Sequence, residues 1–113
     1  MEVKKVIGDN SPEVFEKLQG GTLINVQVEE VVTEDAVVKY SYNQTITTET
    51  NEEKLEKVKI QMLVKIYQDY LGDTDHKFYG DYELKSDETP EDLENIRLQR
   101  SIARTFIRDN EVV

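Results

Sequence analysis

The sequence predicts an α+β fold: a four-stranded antiparallel β-meander, a short N-terminal helix, and an amphipathic C-terminal helix packed on the sheet. Three observations predict it. Two period-two runs within residues 22–48 are joined by a tight connection, a third alternating run fills 55–69, and a capped helical pattern ends the chain. With 113 residues and no repeat, low-complexity tract or long linker, the chain reads as a single domain, 1–113.

Residues 3–7 read as a short strand or an extended lead-in. Ser11-Pro12-Glu13 reads as a helix start, with serine as N-cap and proline at the first helical position. Val14, Phe15 and Leu18 give this helix, over 12–19, an apolar side, and Gly20-Gly21 stops it. In the run 22–32, Ile24, Val26, Val28 and Val32 alternate with Asn25, Gln27 and Glu29. In the run 36–48, Val38, Tyr40, Tyr42 and Ile46 share a face opposite Lys39, Ser41, Asn43, Thr45 and Thr47, and Thr33-Glu34-Asp35 connects the two.

Residues 52–71 are rich in helix formers, but a helical wheel mixes Lys59, Lys65 and Asp69 among Val58, Met62 and Ile66. As a strand over 55–69, Val58, Ile60, Met62, Val64 and Ile66 face one way and Lys57, Lys59, Gln61 and Lys65 the other. The cleaner separation predicts the strand. Gly72-Asp73 marks a turn, and Phe78, Tyr82 and Leu84 predict a short fourth strand opposite Lys77, Asp81 and Lys85. In the last element Thr89 caps, Pro90 opens the helix, and Glu91 and Asp92 suit its positive end. Ile96, Leu98, Ile102, Ala103, Phe106 and Ile107 form the expected buried face, and Asn110 offers a stop.

Cysteine is absent, which removes disulfides, thiolate metal sites and cysteine nucleophiles. The N-terminal residues lack the apolar core of a signal peptide and no stretch has the length of a membrane span, so a cytoplasmic protein without a membrane partner is expected. A formal charge of −10 disfavours direct nucleic-acid binding. Catalytic signals are weak. His76, the single histidine, sits in an acidic turn, and Asp69, Asp73, Asp75 and Asp81 around it do not follow a calcium-loop pattern. Neighbouring carboxylates such as Glu29-Glu30 point to opposite faces of a strand. No catalytic, metal or cofactor residue is therefore assigned, and a non-enzyme is expected.

Two features point to a partner surface. The four arginines of the chain, Arg97, Arg100, Arg104 and Arg108, lie within about 80° of one another on the last helix, in a segment without a negative charge. Their bland explanation is a solvated helix face, but arginine's planar fork also suits carboxylate or phosphate recognition. Leu63 and Tyr67 are apolar on the nominally exposed side of the 55–69 strand and are candidate anchors. Tyr40, Tyr42 and Tyr82 read as cross-strand packing, and Tyr70 and Tyr79 gather with Tyr82 near the hairpin after residue 71.

Residues 57–109 resemble the SecB-type export chaperones. Gly80-Asp81-Tyr82-Glu83-Leu84 is similar to their Gly-x-aromatic strand, Glu91-Asp92-Leu93 to their acidic segment, and Phe106-Ile107-Arg108-Asp109 to their aliphatic–aromatic–Arg helix run. Thr105 departs from the family's proline, and the helix at 12–19 has no counterpart. The resemblance implies binding of unfolded or partner chains on an apolar sheet groove, commonly in an oligomer. Together these readings lead us to expect a protein-binding module, chaperone-like in one form, that engages a protein partner and forms a homo-oligomer. Two alternatives are an acidic inhibitor mimicking nucleic acid (antitoxin, immunity or phage anti-defence protein) and a phage virion or other assembly subunit.

Overall fold

In the computed structural model, residues 1–78 and 82–110 are described. The α+β class and a four-stranded antiparallel sheet both hold, but different segments build the sheet. The strands are β1 (Lys4–Gly8), β2 (Phe15–Leu18), β3 (Gly21–Val32) and β4 (Val38–Thr47); the helices are α1 (Glu52–Thr74) and α2 (Pro90–Asn110). The chain divides into two compact units, Met1–Met62 and Leu63–Val113, with α1 running through the boundary.

In the first unit the strand order is β1-β4-β3-β2, all antiparallel. Only β2-β3-β4 follow one another as a meander, while β1 lies on the far side of β4. The helix expected at 12–19 is instead β2, paired from Phe15↔Ile24 to Leu18↔Gly21. Between Pro12 and Gly20 there is too little chain for a helix to repay its nucleation, whereas β3 offers ready backbone partners. Gly20, at φ 82°, makes the hairpin turn that read as a helix stop.

The β3–β4 hairpin appears as the alternation predicts, except at one bulge. Gln27 and Val28 stand opposite the single Tyr42, because Val26 pairs with Asn43 and Glu29 with Ser41. Gln27 takes φ 56° there, and its Oε1 accepts a 2.7 Å hydrogen bond from the Asn43 amide. The extra residue reverses the faces of β3, so Ile24 and Val26 point one way and Val28 and Val32 the other.

Residues 55–69 are helical, not a strand. Asn51 caps α1, its Oδ1 accepting from the backbone amides of Glu53 at 3.0 Å and Lys54 at 3.3 Å, and Glu52 and Glu53 meet the positive helix end. The lysines that spoiled the wheel are accommodated. Lys59 pairs with Glu56 at 3.0 Å and its ammonium lies 5.8 Å above the Phe15 ring; Lys65 pairs with Asp69 at 2.9 Å. Leu55 and Met62, seven residues apart on one side of α1, are buried, as are Ile24 and Val26.

In the second unit α1 ends at Thr74 and a 3₁₀ turn follows over Asp75–Phe78. Phe78 therefore does not begin a strand, and residues 82–84 are irregular; Tyr79, Gly80 and Asp81 lie outside the described residues. Helix α2 starts where predicted. The Thr89 hydroxyl accepts from the Asp92 amide at 3.2 Å while Asp92 Oδ2 accepts from the Thr89 amide at 2.8 Å, a reciprocal capping box. The Tyr67 and Phe106 rings meet at 5.0 Å and join α1 to α2.

Candidate protein-binding surface

Strand register decides which side chains share a face. The face carrying Phe15, Ile24 and Val26 also carries Ser41, Asn43, Thr45 and Thr47 of β4. This face is covered over its central part, where Ile24, Val26, Thr22, Ser41 and Thr45 are all buried, while Ile7 and Val31 on the same face are exposed. Two of its buried hydroxyls are hydrogen-bonded to distant backbone, Thr45 Oγ1 donating to the Glu2 carbonyl at 2.6 Å and Thr22 Oγ1 to the Glu49 carbonyl at 2.9 Å.

The opposite face holds the aliphatic and aromatic residues of β4. There Ile46 is 68 % exposed and Val38 45 %, with Tyr40 and Tyr42 half-buried between them. Neighbouring strands extend the patch with Leu18, Leu23, Val28 and Val32, the last 67 % exposed. Strand β4 thus turns its polar side inward and its apolar side outward. The alternation in the sequence showed which residues share a face but gave no sign of which face is covered.

The arginine stripe separates into two parts. Arg100 is 5 % exposed and is spent inside the second unit. Its Nη1 donates to the Leu71 carbonyl at 2.8 Å and to Thr74 Oγ1 at 2.7 Å, and its Nη2 to Asp75 Oδ1 at 2.6 Å. The guanidinium also lies 5.2 Å from the Phe78 ring. Arg97 shares that ring at 5.5 Å and pairs with Glu94 at 2.8 Å, and Arg108 lies 3.4 Å from Asp109. Arg104 is exposed and has no ion-pair partner among the described residues. On the expected buried face Ala103 is buried and Ile96, Phe106 and Ile107 are half-buried, but Leu98 and Ile102 are exposed.

Leu63 and Tyr67 belong to α1, so the sheet face on which they were expected does not include them. Both are half-buried, and Tyr67 stacks on Phe106. Sequence reading missed a polar latch in the same unit. The carboxylate of Glu88 accepts from the Tyr82 hydroxyl, from Lys77 Nζ at 2.9 Å and from the Lys85 amide at 3.3 Å. These donors, Tyr82 foremost, hold its pKa down to about 2. The exposed His76 packs edge-on to Tyr82, ring centroids 5.8 Å apart.

A cleft of about 520 Å³ opens between β2 and the first turn of α1, walled by Phe15 and Leu55 and rimmed by Glu52, Glu53 and Glu56. Among the described residues no three His, Asp or Glu side chains gather closely enough to hold a metal ion, and no helix is long and apolar enough to cross a membrane. Comparison with family models, curated proteins and solved structures finds no match to this chain.

Proposed function

We propose that this chain is a non-enzymatic protein-binding module whose docking surface is the aliphatic face of the sheet. One observation carries the reading: β4 buries Ser41 and Thr45 while exposing Ile46 and Val38. Keeping such a face in water forgoes the free energy its burial releases, about 25 cal/mol per Å² of apolar area. Tyr40 and Tyr42 supply amphipathic anchors within it, and Lys4, Glu16, Glu30 and Gln44, which share that face by register, supply a polar rim. An unfolded chain meeting the same surface would be the chaperone-like form of this reading. Of the helix stripe, Arg104 and Arg108 remain as exposed cations for a partner, whereas Arg100 has an internal role.

Photo-crosslinking tests the reading. A crosslinking side chain at Ile46 or Val38 is expected to capture the same host protein or added client, and a second substitution, Tyr42→Glu, is expected to abolish capture while circular dichroism stays unchanged. Equal capture from a control position at exposed Lys57 of α1 would remove the sheet face as the docking surface.

A further inference from the structure

Strand β3 is twelve residues long, but β2 covers its outer edge only from Gly21 to Ile24. One more bond, from the Asn25 amide to the Val14 carbonyl at 2.8 Å, ends that pairing. Past the bulge, Glu29, Glu30, Val31 and Val32 pair only with β4, Val28 belongs to the bulge itself, and among the described residues no strand lies along the other edge of these five. All five are exposed. A strand edge of this kind presents unpaired backbone donors and acceptors and is a template for another strand.

The side chains restrict what can add there. Between Leu18 and Val38 the chain has no lysine or arginine, and Glu29, Glu30, Glu34 and Asp35 make no ion pair among the described residues. The nearby Lys39 is engaged by Asp9 at 3.6 Å. A second copy pairing edge to edge through the same residues would set Glu29 or Glu30 against itself or its neighbour, which like-charge repulsion opposes. Glu29 and Glu30 point to opposite faces, each flanked by valine. Opposite them, a complementary strand needs two adjacent basic residues, and opposite Val28, Val31 and Val32 it needs aliphatic ones.

We propose that the free edge Val28–Val32 of β3 takes, by strand addition, an extended segment of a partner protein in which two adjacent basic residues lie between aliphatic residues. This deepens the protein-binding reading and rests on it, naming the chemistry of the partner. Backbone pairing supplies the attachment, and the two carboxylates select the sequence.

The probe is a blocked octapeptide with two central lysines, each flanked outward by two valines and a terminal threonine. Added to the isotope-labelled full chain, it is expected to protect the amides of residues 28–32 from hydrogen exchange, with binding that weakens as salt rises. Glu29→Lys/Glu30→Lys is expected to lower its affinity by about tenfold or more and to favour the matching peptide with central glutamates. Equal binding of a control peptide with serines for valines would overturn the proposal, because charge without strand pairing would then suffice. Self-association abolished by the same double substitution would overturn it too, the occupant then being a second copy. Absence of protection at 28–32 while crosslinking from Ile46 persists defeats the edge proposal and leaves the sheet-face reading standing. Protection at 28–32 with no crosslinking from Ile46 supports the edge and removes the sheet face.

Discussion

Arg100 of α2 donates a 2.8 Å hydrogen bond to the backbone carbonyl of Leu71 in the last turn of α1. That carbonyl is one of the four that a helix end leaves without an internal partner, and a buried guanidinium satisfies it. The same group bonds Thr74 and Asp75, so three neighbouring acceptors depend on one side chain.

Replacing Arg100 should therefore destabilise the chain out of proportion to its surface origin. Arg100→Ala is expected to cost about 2–3 kcal/mol, from the lost charge-assisted bonds and the acceptors left behind. Arg100→Lys should recover only part of this, since an ammonium cannot reproduce the fork. Arg104→Ala, on the exposed part of the same stripe, should stay within about 0.5 kcal/mol. Urea unfolding of the three variants provides the comparison, and equal effects at 100 and 104 would refute the assignment.

Acid should loosen the Glu88 latch in a defined window. The folded carboxyl, held near pH 2 by Tyr82 and Lys77, lies below its ordinary 4.5, so its contribution is full above about pH 4.5 and is lost as pH falls toward 2. Lys77 and Tyr82 are both shifted upward, chiefly by Glu88, so their contributions hold at neutral pH and are lost as alkaline pH rises past their ordinary values near 10. Glu88→Gln should flatten the acid part of the stability profile. Carboxyl titration by NMR reads Glu88 directly, and an ordinary midpoint would be inconsistent with the latch.

At the tip of the hairpin, Ala36 has φ 58° and its amide bonds the Thr33 carbonyl at 2.9 Å. A left-handed conformation costs a non-glycine residue roughly 1–2 kcal/mol, while glycine adds roughly 0.4–1 kcal/mol of unfolded-state entropy. Ala36→Gly is expected to stabilise by about 0.5–1 kcal/mol, measured as a higher urea midpoint at unchanged slope. A lower midpoint would contradict the turn geometry.

Two isoleucines on adjacent strands should respond in opposite ways. Ile24→Ala, on the covered face, should cost about 2–5 kcal/mol through lost burial and a residual cavity. Ile46→Ala, on the open face, should change stability by no more than about 0.5 kcal/mol while weakening partner capture. Thermal unfolding beside crosslinking separates the two effects, and a large stability loss at Ile46 would mean that its face is covered.

The sequence alone determined the α+β class, the β3–β4 hairpin with its connection at Thr33–Asp35, and the start of α2. Each is written in local chemistry: period-two alternation, a turn cluster, and a Thr-Pro-Glu-Asp cap whose bonds need no distant partner. Tertiary structure decided the rest. Apolar residues between Val58 and Leu71 are dense enough to satisfy both a strand and a helix pattern. The Asn51 cap is a local signal for the helix, and the long-range contact of Lys59 over Phe15 accommodates a lysine that the wheel placed among apolar residues. Residues 15–18 became a strand because β3 offered an edge, and the Gln27 bulge reversed the faces beyond it. For the candidate site, alternation grouped Val38, Tyr40, Tyr42 and Ile46 correctly, and the stripe located the arginines. Which sheet face is open and which arginine is buried depend on residues far along the chain. A local pattern records the period of a side chain's direction, whereas burial is fixed by what folds back to meet it.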